Sequence, residues 1–526
     1  MPEEAEEPRA EPRPRRRSGL RIFLGLALLA LGVGSALIAG SLGVASARLV
    51  GRNVPISADA TDLRVIDANN SPTVAQSPTD PAQLAVVNRV DTPRFSCAMH
   101  VSFDAGATWE PVEIPFPEGE ELPPRCFAPD AAFGADGTLY VSFVTLIGLG
   151  NTPNAAWVAA ARPGEQVLST PLRSLGPLAF QVRLATDRLE PGRLWLSYVK
   201  VEDTATLGIA APGNPVQVIR SDNGGETWTE AVGVSAPARQ RVIAPSIATG
   251  PDGRLYVLYL DLGNDALDYS GAHQGRGGEP YPGTWSLVLS RSSDGGRTWR
   301  EALVDDGVVP TERIIVLFPP SPSLAVAPKG EKLYVAFTDG RGGDADVRVW
   351  TSDDGGASFG AGRRVNDTPV GDDTSQYLPR LAVAPNGRVD VVYYDRRGDR
   401  ENVMNHVSLQ WSSDAGRTWR PRLRLTDRAF DSRIGFGSER DLPDLGSRLG
   451  LVSTEQRALA VWTDTRAGTE ASNKQDLARA VAAFTEGSQL RGPLRSGGAA
   501  LAALGLVILL SGLIARRRET RSGQVQ

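Results

Sequence analysis

Three segments of this 526-residue chain repeat one arrangement of side chains that could do chemistry. Phe337-Thr338-Asp339-Gly340-Arg341, Tyr393-Tyr394-Asp395-Arg396-Arg397 and Trp462-Thr463-Asp464-Thr465-Arg466 all read aromatic-x-Asp-x-Arg. Tyr259-Leu260-Asp261 is a partial copy without the arginine. A guanidinium is planar and can hold a carboxylate through two parallel hydrogen bonds. The candidate residues for binding or catalysis on an acidic ligand are therefore Arg341, Arg397 and Arg466, with Tyr394 and Asp395 beside them. Arg380, in Tyr377-Leu378-Pro379-Arg380, joins them because it leads into a strand that can face a central channel. The same pattern has a structural reading: each Asp caps its loop while each Arg clamps a neighbouring repeat. The three histidines, His100, His273 and His406, are far apart and in no metal-ligand spacing. No metal or cofactor is expected. Asp372-Asp373, or Asp265 with Asp268, are the acidic pairs that Ca²⁺ could use, and such pairs in loops are usually solvated turns.

These segments sit at the ends of alternating apolar strands. The strands recur at 137–143, 192–198, 253–259, 330–337 and 387–393, with a weaker copy at 84–87 and another at 459–462. The period-2 alternation and the β-branched and aromatic content predict strands. A second repeat comes after most of them and reads S-x-D-x-G-x-T-W. Its copies are Ser102, Asp104, Gly106 and Trp109; Ser221, Asn223, Gly225 and Trp228; Ser292, Asp294, Gly296 and Trp299; Ser352, Asp354, Gly356 and Phe359; and Ser412, Asp414, Gly416 and Trp419. Ser and Asp oxygens fold back on backbone N–H groups, Gly admits a positive φ, and the Trp anchors the start of the next strand. This is a β-hairpin turn made five times.

The S-x-D-x-G-x-T-W turns resemble the Asp-box, or BNR repeat, of sialidase-type β-propellers. The resemblance implies an all-β propeller with the boxes on the face opposite any active site. In sialidases an arginine triad holds the sugar carboxylate, a Tyr–Glu pair supplies the nucleophile and an Asp is the acid/base, an exception to the two-carboxylate scheme. Only the box positions match residue by residue. No F-R-I-P segment is present, and Pro93-Arg94-Phe95 is a scrambled echo of it. The resemblance leaves two functions as expectations. One is a glycoside hydrolase of exo-α-sialidase type acting on surface or environmental glycans. The other is a non-catalytic propeller that binds glycan or protein on its top face.

The box-ending aromatics lie 119, 71, 60 and 60 residues apart. The first gap is two periods, so one unit there lacks a box, and a further boxless unit contains Trp462. Seven four-stranded blades are expected, with six as the alternative. Residues 62–67 resemble 362–367, which predicts that an N-terminal strand completes the last blade. Box turns join third to fourth strands, so function belongs on the opposite face. The insertion 263–283, with Tyr269, His273 and Tyr281, is either a lid or an excursion.

The net charge of −5 gives no reason to invoke nucleic acid. Two apolar runs bracket the body, at 20–44 and 497–515, each about long enough to cross a bilayer at ~20 residues. Arg15-Arg16-Arg17 and Arg516-Arg517-Arg518 lie outside them, which puts both tails (1–19 and 516–526) in the cytoplasm and the body, 54–486, outside the cell membrane. Ala45-Ser46-Ala47 offers a rival reading of the first run as a cleaved signal. Cys97 and Cys126 are the two cysteines, and in an exported chain they invite a disulfide; two free thiols are the alternative.

Overall fold

The computed structural model describes residues 16–42, 46–57, 67–201, 213–239, 241–267, 280–313, 319–328, 332–435, 445–485 and 491–522. They form two units: Arg48–Ala483, and Met1–Ala47 with Phe484–Gln526.

The larger unit is seven antiparallel sheets in chain order. The first strands of blades 1 to 7 are Asn69–Gln76, Cys126–Phe133, Ala179–Thr186, Val242–Thr249, Ser323–Val326, Gln376–Val383 and Gly450–Ser453. Each touches the next, and the last touches the first, so the seven close around an axis. Second strands such as Val389–Asp395 lie between neighbouring sheets and are buried along their whole length. This explains their near-continuous apolar runs.

Ring closure uses an N-terminal strand, as expected, but a different one. The fourth strand of blade 7 is Ala47–Pro55, beside Asp476–Phe484. Of the predicted segment 62–67 only Asp67 is described, and the next residue, Ala68, bridges to Gln475 on the way into blade 1. Asn53 locks the closing strand, donating its amide to the Leu425 carbonyl at 2.8 Å.

All five S-x-D/N-x-G turns join third to fourth strands and share one geometry. In the first, Ser102 Oγ accepts from Gly106 N at 2.9 Å and donates to Asp104 Oδ1 at 2.8 Å, while Asp104 accepts from Thr108 N at 2.9 Å. In the second, Asn223 takes the Asp role, accepting from Thr227 N at 3.0 Å. The turn glycine also packs on the preceding blade. A Cβ on Gly356, whose φ is +78°, would sit 2.5 Å from Leu289 of blade 4. Blades 2 and 7 have no such turn, as the spacing implied. Cys97, in the third strand of blade 1, is disulfide-bonded to Cys126, which opens blade 2, with a Cα–Cα distance of 5.7 Å.

The smaller unit holds two helices, α1 (Arg16–Leu42) and α2 (Arg491–Ser522). Ser18–Ser35 and Ser496–Arg518 are long and apolar enough to cross a membrane. The helices pack antiparallel through glycines. A Cβ on Gly25 would meet Leu509 at 2.6 Å, one on Gly32 would meet Ala502 at 2.5 Å, and one on Gly505 would meet Leu29 at 2.6 Å. Small residues of this kind let helix backbones approach closely in lipid.

Candidate functional site: an axial arginine cluster

The aromatic-x-Asp-x-Arg segments end the second strands of blades 5, 6 and 7, but their arginines do not converge on the axis. This corrects the expectation for Arg341, Arg397 and Arg466. Arg341 pairs with Asp339 two residues back and with Asp305 of blade 4 at 2.9 Å. Arg397 pairs with Asp367, on the link from blade 5, at 2.6 Å. Arg466 pairs with Asp464 and with Asp427, on the link from blade 6. Each guanidinium thus ties its own blade to the one before. The motif's Asp is the buried anchor: Asp395 accepts from Arg397 N at 3.0 Å and from Ser408 Oγ at 2.7 Å. Tyr394 is fully buried, its hydroxyl accepts from Thr463 N at 3.1 Å, and its ring packs on Tyr377 at 5.4 Å. Burial raises its pKa, so it stays a neutral phenol. Arg396, the variable residue of the motif, stacks over Tyr377 at 4.2 Å and pairs with Glu312 at 2.5 Å.

Arg380 does face the axis. Strand register places one residue of each first strand at the equivalent level. These are Thr73 opposite Val87, Asp130 opposite Ser142, Arg183 opposite Ser197, Ser246 opposite Leu258, Ser323 opposite Ala336, and Arg380 opposite Val392. In blade 7 the matching position is Gly450, opposite Val461, and Arg448 reaches in from two residues earlier. Six of these side chains, together with Arg448, line one cavity of about 110 Å³.

A bulge aims the ring residues. The register slips just before Thr73, Asp130, Arg183, Ser246 and Arg380. Two residues upstream of each sits a non-glycine residue at positive φ: Ser71, Ala128, Gln181, Ala244 and Leu378. Such bulges re-aim side chains and cluster near functional sites. Prolines 72, 129, 245, 322 and 379 precede the ring residues of five blades. That recurring proline is the sequence signal for the ring. Motif reading passes over it, and with it Asp130, because the residues it marks differ in type from blade to blade; Arg183, which follows Val182, and Arg448, which follows Ser447, carry no such signal.

The cluster is short of negative charge. Among the described residues Asp130 is its one carboxylate, and both of its oxygens are engaged, accepting from Ala131 N at 3.2 Å and Leu184 N at 3.0 Å. Arg448 donates from Nε to Thr73 Oγ1 at 2.9 Å and from Nη2 to the Pro129 carbonyl at 2.7 Å. Arg183 donates to Ser321 Oγ at 3.3 Å. Among the described residues the Arg380 guanidinium has no hydrogen-bond partner. Burial pushes the pKa of all three guanidiniums down, against the pull of Asp130, and furthest for Arg448, which Arg183 and Arg380 also repel.

Among the described residues no Tyr, Glu or His lines the cavity. A Tyr–Glu pair does exist, Tyr259 hydrogen-bonded to Glu301, but both belong to blade 4, where Arg239 joins them at 3.1 Å to Glu301. Nor do the described residues contain a group of three potential metal ligands. Asp372 caps Thr374 at 3.0 Å, and Asp265 pairs with Arg313. Asp268, Tyr269 and His273 lie outside the described residues.

These features define a seven-bladed β-propeller with an arginine-lined axial cavity. The chain matches no protein-family model and no curated protein. Solved structures similar to it include a protein of unknown function from Dyadobacter fermentans (13% identity, 84% of this chain and 99% of that one, TM-score 0.46). A Hadza microbial sialidase is 15% identical over 81% of this chain and 68% of that one, with a TM-score of 0.42. An ulvan lyase is 11% identical over 81% and 95%, with a TM-score of 0.47. At these identities the likeness is one of fold.

Proposed function

We propose that this chain is a membrane-tethered, extracytoplasmic propeller that binds the acidic group of a glycan at its axis. One observation carries the reading: Arg183, Arg380 and Arg448 share a cavity with a single, already engaged carboxylate. Arg448 is buried and Arg183 and Arg380 are half-buried, and a desolvated surplus of positive charge is costly unless an anion compensates it. Of the two expected functions, the binding module is the better supported. A hydrolase of sialidase type needs a nucleophile and a proton donor beside the arginines, and the described lining supplies one aspartate locked by backbone N–H groups. The antiparallel α1–α2 pair supports the anchoring, since two membrane-spanning helices in that arrangement send both basic tails to one side.

The full-length protein in lipid nanodiscs, screened against an array of acidic and neutral glycans and against fluorogenic glycosides, tests the reading. Retention of acidic glycans without turnover supports it. Preference for neutral glycans would reject the axial anion site, and turnover of a sialoside lost on Asp130→Asn would restore the hydrolase.

A further inference from the structure

The geometry points to a tetrahedral, doubly charged oxyanion, a phosphate monoester or inorganic phosphate, as the group that the axial cavity takes. The inference rests on the anion-binding reading above and narrows it.

Charge balance favours a dianion. Among the described residues three guanidiniums face one carboxylate, so a dianion neutralises that set and a carboxylate leaves one positive charge uncompensated. A phosphate monoester carries about −1.5 to −2 near neutral pH and presents three strong acceptor oxygens.

The directions of the donors favour a tetrahedron. Arg183, Arg380 and Arg448 enter from blades 3, 6 and 7. Between them the ring offers the hydroxyls of Thr73, Ser246, Ser321 and Ser323. Donors thus surround the cavity. A carboxylate has two oxygens in one plane and suits a single fork. A tetrahedral group sends oxygens in several directions and can engage all three forks and the hydroxyls together.

The cavity is also small. Pockets for drug-sized ligands run to roughly 300–1,000 Å³, whereas this cavity is about 110 Å³. That size suits one small functional group. Among the described residues three hydrogen bonds occupy the three guanidiniums, two from Arg448 and one from Arg183, so donors remain for a ligand.

Calorimetric titration of the full-length protein in phosphatidylcholine nanodiscs provides the test, with inorganic phosphate, glucose 6-phosphate, glucuronate and acetate as the probes. The expected result is phosphate affinity at least tenfold above glucuronate, falling at least tenfold in Arg380→Gln. Arg397→Ala, an outer clamp, should leave affinity unchanged. Tighter inorganic phosphate than glucose 6-phosphate identifies the free ion as the source; the reverse identifies an ester; either supports the assignment. Glucuronate binding as tightly as phosphate would overturn the phosphate assignment while leaving the anion site standing. No binding by any of the four anions, in protein whose melting temperature is normal, would overturn both.

Discussion

Arg448 Nε donates to Thr73 Oγ1 at 2.9 Å, and this bond joins the last blade to the first at the propeller axis. The same guanidinium reaches the Pro129 carbonyl of blade 2 at 2.7 Å. One side chain therefore serves ring closure and the charge surplus of the cavity. Arg380 differs: its guanidinium contributes charge to the cavity but, among the described residues, no hydrogen bond to the fold. The two residues separate binding from stability.

Arg380→Ala should abolish most anion binding without lowering stability. A guanidinium–oxyanion bond in a partly desolvated site contributes about 2–3 kcal/mol. Removing an unpaired, half-buried charge relieves repulsion from Arg183 and Arg448. The melting temperature should hold or rise while affinity falls. Arg380→Lys should recover little, since a point charge does not reproduce the fork. Arg448→Ala, by contrast, should lower both.

The outer arginines should behave the opposite way. Arg341→Ala removes ion pairs to Asp339, which is fully buried, and to Asp305. Leaving a buried carboxylate short of a partner costs roughly 1–3 kcal/mol. Denaturant unfolding should show that loss, and anion titration should show none.

Asp294→Ala should likewise lower stability and spare binding. Asp294 holds its turn by accepting from Thr298 N at 3.0 Å and from Thr298 Oγ1 at 2.6 Å. Losing a capping side chain of this kind costs ~1 kcal/mol. The Cys97–Cys126 bridge spans 29 residues on the opposite face. Replacing both with Ala should cost about 3–4 kcal/mol on the chain-entropy model and retain the fold.

Two buried groups give stability a pH dependence of opposite sign. Burial raises the Asp476 carboxyl to about 6, with Lys474 opposing, so the folded state holds the proton more tightly than the unfolded chain. Its contribution is full below about pH 4 and is lost as pH rises toward 6. Burial lowers His100 to about 4, so its contribution is full above about pH 6.5 and is lost as pH falls toward 4. Asp476→Asn should therefore stabilise the protein at pH 7 but not at pH 4. His100→Gln should flatten the acid side. Chemical denaturation at pH 4, 5.5 and 7 reads both.

The turns and blade count were legible in the sequence because their chemistry repeats by residue type. Each turn needs the same Ser, the same Asp or Asn and the same Gly for its own hydrogen bonds, so the pattern survives in every copy. The axial ring repeats by position instead. Thr73, Asp130, Arg183, Ser246, Ser323 and Arg380 share a register but no single residue type. The conspicuous Asp-x-Arg pattern repeats in blades 5, 6 and 7 because each of its guanidiniums clamps its blade to the one before. The closing strand is masked in the sequence for a related reason. Ala47–Pro55 comes after an apolar run, and its first residue also ends the Ala45-Ser46-Ala47 cleavage-site pattern, whereas 62–67 resembles an outer strand of blade 5.

The most direct measurement is anomalous diffraction from crystals grown with selenate, a tetrahedral dianion that carries its own scatterer. The account predicts a selenium peak on the axis within hydrogen-bond reach of Arg183, Arg380 and Arg448, and its loss in Arg380→Ala. An axis without a selenium peak, with selenate bound only at outer arginines such as Arg341 and Arg397, would contradict it.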